Sequence, residues 1–327
     1  MAAFFPAPDT NDPADVTVVV ISYNTKHLLT RMLTALDIGR GQLRLQVIVV
    51  DNASRDGSAE ILRNEFPNIE LIQNAANVGF GRANNQALSS VRGRYVLLVN
   101  PDAFVSSDTL SKTFKFMEEH SRCGVLGVKL VGEDGGLKPC CCYFPTPWNV
   151  ALKMTRLDRF FPSTRLVHDM SWDHASVRAC DWVPGCYYMV RREVLETVGL
   201  FDPRYFLYCE DVDHCRRVRE AGWEVIYYPH TQVVHIGGQS ALTFDGPTDD
   251  NREVPALLWE SLLLYFRKHH GLAGTLAIAL VTMLTDVGAA LKRTFQKDAK
   301  RAQDRLKHAR LVFRLLKKTR LASRSTR

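Results

Sequence analysis

Five carboxylates and a histidine are the residues through which this sequence could do chemistry. Glu210 and Asp211, with Asp213 close behind, follow an aromatic run in "YFLYCEDVDHCRR". Val212, Cys215, Val218 and Arg219 recur at helical spacing and Gly222 is a C-terminal stop, so a helix should begin near Glu210. The helix dipole favours acids in a first turn by roughly 0.3–1 kcal/mol each, which accounts for one or two of them. It does not account for the apolar lead-in "LFDPRYFLY", which shields a carboxylate from water and readies it to take a proton from a hydroxyl. Asp51 ends the apolar run "LQVIVVD", where it can accept hydrogen bonds from ribose hydroxyls or a base N–H. Asp102 lies just past "YVLLV" on a turn stiffened by Pro101, a place suited to Mg²⁺ or Mn²⁺ shared with substrate phosphates. His235 precedes Gly237 and Gly238, and becomes a metal ligand if the fold brings it to Asp102. Taken singly, Asp51 is equally a cap or turn residue, Asp102 an ordinary turn residue and His235 a structural histidine.

Those residues need a scaffold, and the chain supplies strands alternating with helices. "DVTVVVISYN" (15–24) and "LQVIVVDNAS" (45–54) are β-branched runs too short for a helix, as buried parallel strands require. A helix is expected over Thr25 to Leu36 and another after "RDGS", with "IELIQN" and "RYVLLVNPD" as a third and fourth strand. The pattern implies a doubly wound α/β sheet, in which ligands bind beyond the carboxyl ends of the strands. Those ends are polar: Ser22-Tyr23-Asn24, Asp51-Asn52, Asn74 to Asn77, and Asn100-Pro101-Asp102. "NVGFGRANNQA" lacks the third glycine of a dinucleotide fingerprint, since position 84 is Asn, and its acidic residue precedes the loop, so a nicotinamide-dependent dehydrogenase does not fit. Gly79 and Gly81 instead let backbone approach a ligand, with Asn77 and Asn85 offering neutral hydrogen bonds.

In order along the chain these motifs resemble the inverting glycosyltransferases of family 2, closest to the bacterial rhamnosyltransferase-like branch. The resemblance rests on Ser22-Tyr23-Asn24, Val50 to Ser54, Asn77 to Asn85, Leu98 to Asp102, Gly199 to Trp223 and His235 to Ser240, and spans about residues 15–245. It implies the nucleotide-sugar-binding GT-A fold, mainly parallel in its central sheet. Carried over, Ser22, Tyr23, Asn24, Asp51, Asn77, Gly79, Asn85 and Asn100 surround the nucleotide sugar. Asp102 is the surviving acid of a DxD-type metal motif whose first acid is replaced by Asn100, and His235 completes the coordination of Mg²⁺ or Mn²⁺. Asp211 is the catalytic base with Glu210 its neighbour, and Asp213 caps or orients. Asp181 and Trp182 belong to the acceptor side, Trp182 stacking on a sugar, although a hydrophobic strand entering a helix explains Trp182 equally well. The implied reaction moves L-rhamnose from dTDP-L-rhamnose, with UDP- or GDP-linked sugars as alternatives, to a lipid-linked or polysaccharide acceptor in cell-envelope synthesis. A non-catalytic carbohydrate-binding module on the same fold is the other class.

Composition limits the remainder. The 327 residues are 46% apolar, enough for a globular core. The net charge of +7 conceals an asymmetry: from Lys292 onward there are 14 Lys/Arg against 2 Asp/Glu, leaving 28 against 33 for the rest. Residues 1–14 form a loose Pro-rich leader, 15–245 the GT-A domain and 246–327 a helical, basic region. Gly271 to Thr285 is uncharged but shorter than the roughly 20 residues of a spanning helix, so an interfacial helix is expected. Beyond it Leu306, Leu311, Val312, Leu315 and Leu316 lie among cations, the makeup of a helix on an anionic lipid surface. A nucleic-acid arm would not need the apolar lead-in. Together with this tail, the resemblance implies the cytoplasmic face of the bacterial inner membrane as the location, with a homo-oligomer left open. The eight cysteines include no CxxC pair and read as reduced thiols.

Overall fold

Val16–Ser22 (β1) and Leu45–Asp51 (β2) are buried along their whole length, as continuous β-branched runs demand when both faces of a sheet are covered. The computed structural model describes residues 5, 14–238 and 253–327. β1 and β2 pair in parallel, with Ser22 opposite Asp51, so the two loops that follow them emerge side by side. Glu70–Gln73 (β3) joins β2 and Tyr95–Val99 (β4) joins β1, both in parallel. The connecting helices are Lys26–Gly39 (α1), Ser58–Glu65 (α2) and Phe80–Ala87 (α3). α1 buries Leu28, Leu29, Met32, Leu33 and Leu36, the apolar stripe of an amphipathic helix.

The rest of the sheet is mixed. Ala103–Val105 (β5), Thr109–Glu119 (α4), Cys123–Val131 (β6), Pro147–Thr155 (α5), Arg178–Ala179 (β7), Tyr187–Arg191 (β8), Arg192–Val198 (α6), Glu210–Glu220 (α7) and Glu224–His235 (β9) follow in turn. The nine-stranded sheet has the order β3-β2-β1-β4-β8-β6-β9-β5, with β7 on β9. β8 runs antiparallel between β4 and β6, whereas β6 and β9 are parallel, so β9 ends on the same edge as β1, β2 and β4. That placement brings His235 to the edge where Asp51 and Asp102 stand.

The chain divides into two compact units. The first, residues 1–142, 170–203 and 210–245, contains the sheet. The second comprises 143–169, 204–209 and 246–327, so two stretches within the expected 15–245 domain group with the C-terminal helices. Of the expected loose leader, Phe5 is buried, its N–H donating to Asp37 and its carbonyl accepting from Asn68. In the second unit, α5 is started by a Thr146–Asn149 capping box with Pro147 in its first turn. Glu253–Phe295 (α8) breaks at Gly271, whose φ of 68° and ψ of −170° suit a residue without Cβ. His308 of Ala299–Lys318 (α9) meets Trp259 from before that break and Asp286 from after it, so the two halves of α8 fold back against α9. Val312, Leu315 and Leu316 are buried, which corrects the expectation that they face lipid.

Candidate active site

At the carboxyl ends of β1, β2 and β3, two loops hold strained backbone. Asn24 and Ala53 adopt φ of 52° and 69°, conformations that non-glycine residues rarely take outside sites that require them. Asn24 braces one loop on the other: its N–H donates to Ser54 Oγ at 3.0 Å and its Oδ1 accepts from the Arg55 N–H at 2.8 Å. Asn52 Nδ2 donates to Asn77 Oδ1 at 2.7 Å, and that oxygen also accepts the Gly79 N–H at 2.9 Å. Gly79, at φ 90°, then turns the chain into α3. Together these loops wall a cleft of about 430 Å³ whose lining includes Tyr23, Ser54, Arg55, Asn74 and Asn77, a volume in the range of small-molecule sites. Asp51 is fully buried, and its Oδ2 accepts the Ser54 N–H at 3.3 Å while Oδ1 has no partner among the described residues. Burial raises its pKa against the hydrogen bonds to Ser54. A buried acceptor without a partner invites a donor from a ligand.

A second cluster stands on the same edge. The Asn100 N–H donates to the Cys186 carbonyl at 3.1 Å, and the preceding Gly185 N–H donates to Asp211 Oδ2 at 3.0 Å. Two adjacent residues of the turn into β8 thus tie the Asp102 loop to the first turn of α7. Asp102 Oδ2 accepts the Gly237 N–H at 3.1 Å and Oδ1 lies 3.4 Å from His235 Nε2. Burial disfavours a charged His235, but the Cys186 sulfur and Asp102 outweigh it and push its pKa to about 10. Asp211 Oδ1 accepts the Val212 N–H at 2.8 Å, leaving the carboxylate fixed by two backbone donors yet half-buried at its surface. Burial raises the Asp211 pKa, opposed by the Gly185 and Val212 amides. Glu210 is buried with Oε2 lacking a partner among the described residues, and burial together with the neighbouring Asp211 charge holds its pKa well above the usual carboxylate range. Tyr208 and Cys209, directly before it, have φ of 71° and 64°, so the backbone entering this pair is strained.

The segment 198–203 links the two clusters. Asn85 of α3 donates Nδ2 to the Phe201 carbonyl at 2.8 Å and accepts the Phe201 N–H on Oδ1 at 3.1 Å, while Arg82 Nε donates to the Pro203 carbonyl. From the other side, Arg217 of α7 donates to the carbonyls of Val198 and Leu200 and pairs with the fully buried Asp213 at 3.0 Å. His214 Nε2 donates to the Gly199 carbonyl at 2.9 Å, so Nδ1 is the acceptor for the Tyr188 hydroxyl at 2.8 Å. Burial, with Arg217 nearby, lowers its pKa to about 3 and keeps it neutral. α7, and with it Asp211, is therefore latched to the segment that α3 holds.

Residues 17–139 match the model of glycosyl transferase family 2, and residues 95–246 that of glycosyl transferase family group 2. The two models together run over residues 17–246, and the chain belongs to glycosyltransferase family 2. It is 28% identical over 246 residues to the N-acetylglucosaminyl-diphospho-decaprenol L-rhamnosyltransferase of Mycobacterium tuberculosis, covering 67% of this chain and 75% of that one. It is 24% identical over 243 residues to the rhamnosyltransferase WbbL of Escherichia coli, covering 70% and 86%. The mannosyltransferase PcManGT of Pyrobaculum calidifontis, solved with GDP-Man and Mn²⁺, superposes with a TM-score of 0.53 at 19% identity over 95% of this chain and 88% of that one. The fold is GT-A.

In this glycosyltransferase several expected contacts take other forms. Asn85 spends its amide on Phe201 and is not among the residues that line the cleft of Tyr23, Ser54 and Asn77. Ser22 is fully buried and bonded to Thr25, and Asn24 and Asn77 shape the cleft through their loop bonds. Trp182 is buried and exchanges backbone hydrogen bonds with Cys142, so it is no stacking platform, and Asp181 pairs with Arg219. Asp213 orients Arg217. Gly185, Cys186 and Arg217 were missed as site builders because a tight turn and a helical arginine carry no local mark of long-range bonds. Gln239 and Ser240 of the last motif lie outside the described residues. For a divalent cation, Asp102 and His235 meet, and Asn100 Oδ1 is a buried acceptor without a partner among the described residues. No group of three or more His, Cys, Asp or Glu suited to a metal occurs among the described residues. Asp102 and Asn100 supply oxygen donors of the kind a hard cation takes, with its remaining ligands from a diphosphate, whereas His235 would join them only after losing the proton that Asp102 and Cys186 help it keep.

Proposed function

We propose that this glycosyltransferase moves L-rhamnose from dTDP-L-rhamnose, with inversion, to a lipid-linked glycan acceptor at the cytoplasmic face of the bacterial inner membrane. The observation that carries the reading is the Gly185–Cys186 turn, which joins the Asp102 loop to Asp211 on the edge that also holds Asp51 and the cleft lined by Tyr23 and Ser54. The names of the relatives from M. tuberculosis and E. coli support rhamnose as the sugar, and the first of them supports a polyprenyl-diphosphate acceptor.

Tyr23 and the free oxygen of Asp51 hold the base and ribose. Asp102, His235 and Asn100 would hold Mg²⁺ or Mn²⁺, which when bound neutralises the departing diphosphate. Asp211 accepts the proton of the acceptor hydroxyl as that oxygen bonds to the anomeric carbon. The bond from that carbon to the diphosphate oxygen breaks with its electron pair, and the nucleoside diphosphate leaves from the opposite face. The two backbone amides aim the Asp211 carboxylate, and its raised pKa makes it a stronger base than a solvated aspartate. Glu210 shapes the field around it.

Incubating the protein with a panel of nucleotide sugars, Mn²⁺ or Mg²⁺ and membrane lipid extract tests the reading, with release of nucleoside diphosphate as readout. dTDP-L-rhamnose should be consumed, and Asp211→Asn should lower turnover by roughly 10²- to 10⁴-fold with nucleotide binding intact. Consumption of a UDP- or GDP-linked sugar instead would replace the donor, and a variant retaining more than about a tenth of the activity would remove Asp211 as base.

A further inference from the structure

The second half of α8 carries a stripe that none of the described residues of its own unit covers. Leu272, Leu276, Leu280, Leu284, Leu291 and Phe295 follow one another at helical intervals along one side, and their exposure rises from 38% at Leu272 to 61% at Leu284 and 88% at Phe295. At a rise of 1.5 Å per residue the stripe runs roughly 35 Å. The opposite side of the same helix is buried at Ile278, Ala279, Thr282, Asp286 and Ala290. Water-soluble chains rarely leave an apolar strip of this length bare.

By length and composition Val254–Phe295 could cross a membrane, with a mean hydropathy of 1.7 over its most apolar stretch. Its partner argues for a different placement. Asp286, almost wholly buried, accepts from Arg305 at 3.2 Å and from His308, so α9 is latched along the half-helix that would have to span. α9 exposes Arg301, Arg310, Arg314, Lys317 and Lys318, and such charges are expelled from a hydrocarbon interior. A helix pair of this kind can keep its cations at the headgroups only by lying flat. Two turns apart on α9, Leu306 and Phe313 are also exposed, on the side that carries Arg310 and Lys317.

We propose that the second half of α8 lies in the plane of an anionic lipid surface as a non-spanning anchor, its Leu272-to-Phe295 stripe among the acyl chains and the cations of α9 at the phosphates. The 14 Lys/Arg against 2 Asp/Glu from Lys292 onward supply the charge complementarity. The anchor rests on the lipid-linked-acceptor reading for its purpose alone, and vesicle binding is measured without turnover, so the two can fail separately.

The test is co-sedimentation of the full chain with phosphatidylcholine vesicles made with and without phosphatidylglycerol, at low and high salt. Binding should require phosphatidylglycerol, fall with salt by roughly fivefold for each cation engaged, and be released by alkaline carbonate. The triple variant Leu280→Gln, Leu284→Gln, Leu291→Gln replaces exposed side chains only, and should lose at least about tenfold in binding while keeping its circular dichroism and nucleoside diphosphate release. Undiminished binding by that variant, indifference to phosphatidylglycerol, or retention through the carbonate wash would overturn the anchor. So would a stable dimer in solution that the variant abolishes, since the stripe would then be covered by a second copy.

Discussion

Arg217→Met probes the latch that holds α7, the helix that begins with Glu210 and Asp211. The substitution keeps the length of the aliphatic stem and removes three interactions: the pair with Asp213 and the donations to the Val198 and Leu200 carbonyls. Removing one partner of a buried ion pair costs about 3–5 kcal/mol, chiefly because the other charge stays behind. Asp213 has no exposed surface, whereas 21% of the Arg217 side chain reaches solvent, which places the expected loss at the lower end, about 3 kcal/mol. Urea denaturation at neutral pH reads this directly. Adding Asp213→Asn to the same chain takes away the buried carboxylate that faced Arg217 and should restore about 1–2 kcal/mol, although it deletes a second native group. Catalysis should respond separately from binding. Releasing the 198–200 carbonyls lets α7 shift, and a displacement of about 1 Å at Asp211 lowers kcat by roughly a hundredfold. The Asp51 cleft is untouched, so Kd for the nucleoside diphosphate should hold. A stability loss below about 1 kcal/mol, the worth of a surface pair, would refute the reasoning, as would a double variant no more stable than Arg217→Met.

Glu210→Gln should stabilise the protein at neutral pH. The folded pKa of Glu210 lies above its ordinary value of 4.5 because of burial and the Asp211 charge, so the native state holds its proton more tightly than the unfolded chain does. Stability from that proton is complete below about pH 4.5 and is lost as pH rises through the folded pKa. The advantage of the amide should therefore vanish in acid and grow towards neutrality, and thermal melts across pH decide it; an advantage that grows in acid would reverse the assignment. Asp51→Ala should weaken nucleotide binding by about 1.5–3 kcal/mol, or roughly 10- to 150-fold in Kd by calorimetry, since it removes a buried carboxylate with a vacant acceptor. An unchanged Kd would take Asp51 out of the site.

Half of the sheet was legible because its cause is local. β1 and β2 are apolar on both faces, and a run of that kind has no stable place except between two layers, so Asp51 had to emerge at a strand end. β8 was not legible in its pairing. "YYMVR" is a strand by composition, yet nothing in it specifies insertion against β4 and β6, which depends on the register Val99 opposite Tyr187. The same divide runs through the site. Asp102 and His235 stand 133 positions apart and meet at 3.4 Å, an encounter expected only if β9 came to the strand-end edge, as it does. Asn85 and Trp182 were misjudged for one reason: side-chain type suggests a ligand contact, but an amide matches a peptide group as well as it matches a base, and an indole fills a core as well as it stacks on a sugar. The partner 116 residues away won both amide bonds of Asn85, and this is what ties α3 to the segment that α7 also holds. A residue expected to touch substrate thus fixes instead the segment to which Arg217 and His214 hold α7, the helix that begins with Glu210 and Asp211.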